Sequence, residues 1–226
     1  MFFGGSAVNS PLFAVYGASG CGRGIMPLAR EQLRRQGVAS ERLVFVDDGA
    51  ADASMNGQRV LSYADFLAAP AGDRHVVLAI ANSVVRERLA ARCAADGVRA
   101  WTVAAANVVV MDDVVIGEGA ALSPFVTITS NIRIGKHFHA NLYSCVEHDC
   151  VIGDFVTFAP GVKCNGNIVI EDHAYIGAGA VIKQGKPGQP LVIGRGAVVG
   201  MGAVVTKDVP AGATVVGNPA RIMNKD

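Results

Sequence analysis

Apolar residues return at every sixth position along residues 106–216. Cut into sixes, the stretch reads VVIGEG, AALSPF, VTITSN, IRIGKH, FHANLY, SCVEHD, CVIGDF, VTFAPG, VKCNGN, IVIEDH, AYIGAG and AVIKQG. The third letters are Ile116, Leu122, Ile128, Ile134, Ala140, Val146, Ile152, Phe158, Cys164, Ile170, Ile176 and Ile182. After a five-residue slip the beat resumes at Ile193, Val199 and Val205. A period of six is neither helical nor a simple strand alternation; it predicts a stacked parallel β-helix. The first letters, from Val114 and Ala120 to Ala174 and Ala180, form a second inward row. Gly117, Gly135, Gly153, Gly177 and Gly194 follow the apolar residue, at corners that a Cβ would crowd. Gly185–Pro190 (GKPGQP) cannot continue a ladder strand, which predicts a loop thrown out from one corner. Beyond Val205 the pattern frays.

Ahead of the coil the period changes. Leu12–Tyr16 reads as a strand, followed by the glycine turn Gly17–Gly24 and a helix with Ile25, Leu28, Ala29 and Leu33 at helical spacing. Leu43–Val46 is a second strand ending in Asp47-Asp48-Gly49, and His75–Ile80 a third ending in Ala81-Asn82-Ser83. Val84–Ala95 reads as an Arg-rich helix, and residues 100–106 lead into the coil. Strands alternating with helices argue a small parallel α/β domain. Its three loops all follow strand C-termini, the edge where open α/β sheets bind ligands. A strand, glycine turn and helix start can hold a phosphate on backbone N–H groups, although G-x-x-G-x-G also serves as a tight packing turn. An acidic residue at the tip of the second strand can accept from a ribose or base; Asp-Gly also marks a plain turn.

Candidate chemistry concentrates on one coil, Phe138–Asp149, whose outward positions become His, Asn, Tyr, Glu, His and Asp. Val146 points inward, so His148 lies near the next corner on the outer surface. A carboxylate neighbour can fix a histidine's tautomer and stabilise its imidazolium, which makes His148 with Asp149 a candidate general base. Strict alternation would send the two side chains to opposite faces, so they cooperate only if the chain bends between them. A surface or structural histidine fits the composition equally.

The motifs YGASGCG, FVDD, AIAN, VEHDCVIGD, CNGNIVI and GNPARIM extend over most of residues 12–223. In these the chain resembles the sugar-nucleotide N-acetyltransferases of the PglD/NeuD type, a branch of the hexapeptide-repeat acyltransferases. The runs SPFVTI, FHANLYS, HDCVIGDFVTFAPGVKCNG and GMGAVVTKDVPAGATVVGNPAR are similar to the GDP-perosamine N-acetyltransferases of O-antigen pathways. The resemblance implies a Rossmann-like nucleotide-sugar-binding α/β domain over residues 1–105 and a left-handed β-helix of roughly six turns over 106–226, three sixes to a turn. It implies a homotrimer, acetyl-CoA as co-substrate, no metal, and N-acetylation of the 4-amino group of a nucleotide-linked 4-amino-4,6-dideoxyhexose. UDP- or dTDP-linked acceptors are the alternative to GDP-perosamine. Carried over by position, His148 is the general base and Asp149 raises its basicity, while Asn141 lines the amino-sugar pocket. Ser19, Gly20 and Cys21 hold the nucleotide sugar by backbone contacts, with Asp47, Asp48, Ala81 and Asn82 beside the nucleoside. Ala178 and Met201 contact CoA through backbone groups, Thr157 lies in the same site, and the Gly166 N–H lies near the thioester. At Cys21 and Thr157 the family carries histidines, so a sugar contact and a CoA contact differ here.

Composition narrows the partners. The formal charge of +1 gives no general attraction to nucleic acid or to an anionic membrane. Aromatics are 6% of a 51% apolar chain, which suits a narrow coil packed with Ile, Val and Ala. No run approaches the length of a membrane span, and the start MFFGGSAVNS lacks a charged region before a long apolar one. The five cysteines form no C-x-x-C pair, which reads as a reduced, cytoplasmic compartment. Two remoter readings are a metal-dependent β-helix enzyme using His137, His139, His148 and His173, and a non-catalytic scaffold.

Overall fold

The computed structural model describes residues 10–50 and 52–223; the start of the chain read above for a leader, Met1–Asn9, lies outside the described residues. The chain divides into two compact units, Met1–Val103 and Ala104–Asp226.

The first unit runs β1 (Leu12–Tyr16), α1 (Gly20–Arg35), β2 (Leu43–Val46), β3 (Ser54–Met55), β4 (Gln58–Leu61), α2 (Tyr63–Ala68), β5 (Arg74–Leu78), α3 (Ser83–Ala95) and β6 (Arg99–Ala100). Its sheet has the order β3-β4-β2-β1-β5-β6. All pairings are parallel except β3 with β4. Every residue of β1 and β2 is buried, as expected for continuous apolar runs in a parallel sheet. The strand expected at His75–Ile80 is Arg74–Leu78, two residues shorter at its C-terminal end.

Residues 52–70, to which the periodicity assigns no element, hold a hairpin and a helix. Asn56 and Gly57 turn the hairpin with φ of 50° and 74°, the left-handed pair that Asn-Gly favours. Ser62 caps α2 by accepting the Asp65 N–H at 3.0 Å. The helix then seats Tyr63 and Phe66 in the core with Tyr16 and Leu78.

The second unit is a coil of parallel strands forming three sheets of eight, six and five strands. Its pairings run in steps of eighteen residues: Thr127 beside Cys145, Cys145 beside Lys163, Lys163 beside Val181. The third-letter row is buried from Leu122 to Val205, and the first-letter row from Ala120 to Ala180. The polar member of the inner row, Ser144, donates to the Ala159 carbonyl at 3.0 Å. Cys150 and Cys164 are both fully buried.

The glycines after the apolar row answer to close approach rather than to unusual torsions. A Cβ on Gly117 would sit 2.6 Å from the Gly135 carbonyl carbon of the next coil. Left-handed torsions fall on a different beat, the residue before each first letter: Asp113, Gly119, Phe125, Asn131, His137, Tyr143, Asp149, Phe155, Gly161, Asn167, His173 and Gly179. Each non-glycine there costs roughly 1 kcal/mol, which explains the share of Asn, Asp and His, the side chains that tolerate it best.

The coil extends beyond the point where the pattern frays. Val209 bridges Ile193, and Thr214–Val216 pairs with Val198–Val199 before Arg221–Ile222 closes the edge antiparallel. Val209 and Val215 are 3% and 4% exposed, six residues apart, so the beat continues with a second slip. At the other end the first coil strand is Val103–Ala104, paired beside Ala121–Leu122 and two residues ahead of the boundary expected at 105.

Candidate active site

At the corner after strand Cys145–Val146, Asp149 has a φ of 57°. That torsion supplies the bend that alternation denies, and it brings the Asp149 carboxylate to 2.8 Å from His148 Nδ1. The two side chains remain 48% and 46% exposed, so the pair faces outward from the coil. With Nδ1–H donating to the carboxylate, Nε2 keeps its lone pair for a substrate proton; this tautomer follows from the hydrogen-bond geometry. The other carboxylate oxygen of Asp149 accepts from Asn131 Nδ2 at 3.3 Å. Asn131 escaped the sequence reading, although it stands eighteen residues before Asp149, one coil earlier at the same corner, with the same left-handed torsion.

Beneath the ring lies Gly166. A Cβ there would fall 2.5 Å from His148 Cε1 and 2.6 Å from Nε2, so only glycine leaves the imidazole its place. The Gly166 carbonyl accepts the Gly185 N–H at 3.0 Å, while its own N–H has no acceptor among the described residues. A free backbone donor beside a candidate base can receive developing negative charge without rearrangement.

The remaining coil residues stand elsewhere. Asn141 precedes strand Cys145–Val146 and His148 follows it, so the two occupy opposite ends of one face. Asn141 Nδ2 donates to the Phe158 carbonyl at 2.7 Å. Ala178 and Met201 stack on the Asn141 side: the Ala178 carbonyl accepts the Gly202 N–H, and Met201 is 83% exposed. Thr157 is buried on an adjoining face, in register between His139 and Tyr175. One copy of the coil therefore gathers His148, Asp149 and Gly166, and holds Asn141, Ala178 and Met201 apart from them.

The histidines of the metal reading do not converge. His137 and His173 sandwich the Phe155 ring, with centroid separations of 5.1 and 5.4 Å. Among the described residues no group of three or more His, Cys, Asp or Glu is placed to hold a metal ion.

In the first unit the three loops that follow β1, β2 and β5 come together. Asp47 Oδ2 accepts the Ala18 N–H at 2.8 Å, tying the second loop to the glycine turn. A Cβ on Gly17 would lie 3.0 Å from the Ala79 carbonyl oxygen, which brings in the third. Ser19 caps α1 by position without a side-chain bond, so the first-turn N–H groups face outward around the exposed Ser19 and Gly20. Both Asp side chains already have partners: Asp47 Oδ1 takes the Gly49 N–H, and Asp48 takes the Tyr63 N–H and the Tyr16 hydroxyl. Burial, then the Asp48 carboxylate, pushes the Tyr16 hydroxyl up to about 12, so it donates throughout the physiological range. Asn82 caps α3 through the Val85 N–H at 3.0 Å.

Arg86 is a second residue that sequence missed. It is fully buried, and its Nη1 donates to the Ile80 and Ala81 carbonyls at 2.7 and 3.3 Å, fixing the third loop. Burial holds its pKa down to about 10, a shift opposed by the Cys21 thiol. Burial in turn pushes that thiol up, so Cys21 stands as a neutral group at the start of α1. The helical register shared by Arg86 and Cys93, seven residues apart and both inward, was the available signal.

No protein-family model matches the chain. Among individual proteins, GDP-perosamine N-acetyltransferase of Escherichia coli O157:H7 is 55% identical over 214 residues, covering 95% of this chain and 97% of that one. The structure of WeeI from Acinetobacter baumannii AYE superposes with a TM-score of 0.92 at 61% identity, covering 95% of this chain and 100% of that one. The acetyltransferase domain of PglB from Neisseria gonorrhoeae FA1090, solved with acetyl coenzyme A, gives 0.82 at 29% identity, covering 95% of this chain and 100% of that one. With identity at that level along nearly the whole of both sequences, the chain belongs to the GDP-perosamine N-acetyltransferase family.

Proposed function

We propose that this protein transfers the acetyl group of acetyl-CoA to the 4-amino group of GDP-perosamine, a nucleotide-linked 4-amino-4,6-dideoxyhexose. The single observation that carries the chemistry is the His148–Asp149 pair set over the unpartnered Gly166 N–H. It joins the 55% identity to an enzyme named for this reaction.

An amine attacks a thioester only as its free base. His148 Nε2 takes the proton as the C–N bond forms, and Asp149 holds the imidazolium that results. The Gly166 N–H receives the negative charge on the thioester oxygen. Collapse expels the CoA thiolate, so no bond to the protein is required. Asn141 lines the amino-sugar pocket, and Ala178, Met201 and Thr157 lie along the CoA. The first unit, read as a Rossmann-like domain, holds the nucleotide sugar at Ser19, Gly20, Cys21, Asp47, Asp48, Ala81 and Asn82. Its first-turn N–H groups suit a diphosphate.

The separation of His148 from Asn141 across one face supports a site completed by a second copy, as in a homotrimer of left-handed coils. Exposed Phe125 and Tyr143, stacked 4.9 Å apart on the Asn141 side, supply apolar surface for such contact. No helix among the described residues is long and apolar enough to cross a membrane. We place the reaction in the cytoplasm, beside acetyl-CoA and nucleotide sugars, in surface-polysaccharide synthesis.

A thiol-release assay with acetyl-CoA against GDP-, UDP- and dTDP-linked 4-amino sugars tests the reading. Turnover is expected with GDP-perosamine; preference for another nucleotide would reassign the acceptor, and silence across the panel would remove the function. Within the site, Asp149→Asn is expected to lower kcat about tenfold and Asn131→Ala about threefold, both with KM unchanged. A rise in KM without a fall in kcat would assign these residues to substrate binding instead.

A further inference from the structure

The loop at residues 185–190 and the lysines around it take no part in the chemistry above. Lys186 and Gln189 exchange backbone hydrogen bonds of 3.0 and 2.9 Å, so the excursion is a tight hairpin turned by Pro187-Gly188. It stands over a cleft of about 220 Å³ lined by Lys183, Lys186, Gln189, Thr206, Lys207 and Asp208. All three lysines are exposed, and Asp208 is already engaged, its Oδ1 accepting the Val192 N–H at 2.9 Å.

The cleft lies on the same corner as the catalytic pair, displaced along the coil axis. Gly185, at the base of the loop, donates to the carbonyl of Gly166. Strand Cys145–Val146 pairs with Lys163–Cys164, that strand with Val181–Ile182, and that one with Val204–Val205. Lys183 therefore stands two strand spacings from the His148 coil and Lys207 three, or about 10 and 14 Å at ~4.8 Å per spacing. Thirteen bonds separate the sulfur of a CoA thioester from its first phosphorus, an extended reach of about 15 Å by analogy with ~3.6 Å per three backbone bonds. A thioester at Gly166 with its arm laid along this corner places its diphosphate at the lysines.

We propose that this cleft is the phosphate subsite of the acyl donor, with Lys183, Lys186 and Lys207 neutralising the diphosphate or the ribose phosphate of acetyl-CoA. The assignment rests on the acetyltransferase reading and adds to it the part of the donor that the lysines select. Gln189 and Thr206 supply neutral donors between the charges. Asp208 limits the net charge of the lining and is oriented away by its bond to the backbone.

The test compares the wild-type protein with the triple variant Lys183→Ala, Lys186→Ala, Lys207→Ala. KM for acetyl-CoA is expected to rise about 10- to 100-fold in the variant, with kcat and the KM for GDP-perosamine within twofold of wild type. S-acetylpantetheine, which has no phosphate, is expected to serve both proteins with equal kcat/KM. Dephospho-acetyl-CoA then tells the two phosphate sources apart: a persisting defect assigns the diphosphate, and a vanished one assigns the ribose phosphate. An unchanged KM for acetyl-CoA overturns the proposal, as does a rise confined to the sugar nucleotide. If the wild-type protein turns over no acceptor, the acetyltransferase reading fails. Calorimetric titration of both proteins with CoA still decides the cleft, since equal affinities would contradict it.

Discussion

His148→Ala lowers turnover about 1,000-fold, within the span of ~10²–10⁴ that a positioned general base supplies. The substitution removes an outward-facing side chain whose intramolecular hydrogen bond is to Asp149, so the coil core is untouched. Affinity for acetyl-CoA and for the sugar nucleotide is expected to stay within about threefold, because neither phosphate nor nucleoside is held by the imidazole. Stopped-flow measurement of thiol release, with calorimetry for binding, separates the two quantities. Retention of more than a tenth of wild-type turnover would mean that another group takes the proton.

Two glycines of the first turn are expected to respond with opposite sign. A Cβ at Gly22 would lie 1.7 Å from the Gly17 carbonyl oxygen, inside any tolerable contact and against backbone that cannot swing away. Gly22→Ala must therefore push α1 off the end of β1, at a cost of about 3 kcal/mol or more, and spoil the N–H groups at the helix start. Gly24→Ala meets nothing within 4 Å and lies inside α1. There, alanine is expected to stabilise by ~0.5–1 kcal/mol. Urea denaturation of the two variants reads both signs in one experiment. A neutral Gly22→Ala would show that the glycine spacing serves the ligand alone and not the packing of the turn.

The coil was legible because each strand contributes one deeply apolar residue at a fixed interval, and β1, β2 and α3 because their apolar runs and periods were unbroken. The sequence reading stopped short where signal is carried by single polar residues. Asn56-Gly57 and the Ser62–Asp65 cap define a hairpin and a helix too short to show a period. Val209 and Val215 keep the beat after a second slip, so a fixed count loses them. Asn131 has no partner within its own coil; its contact with Asp149 exists only once eighteen residues are wound into one turn. Arg86 looked like one more cation on an Arg-rich helix, and only the packing of α3 turns it inward.

The Asp pair after β2 shows the converse. A carboxylate at that edge reads as a nucleoside acceptor, yet the fold uses Asp47 to join two loops and Asp48 to anchor α2. Their remaining lone pairs stay available to a ligand, so the same residues serve both the edge and its occupant.

The central claim is direct transfer from the thioester to the sugar amine, with His148 as the base and no covalent stage on the protein. Rapid-quench analysis of a single turnover, with acetyl-CoA labelled in the acetyl carbonyl and GDP-perosamine in excess, tests it most directly. The account expects label to pass from donor to N4 of the sugar with one rate constant, and none to be found on protein at any quench time. Label bound to the protein on the way to product, or label fixed to a sugar oxygen, would contradict it.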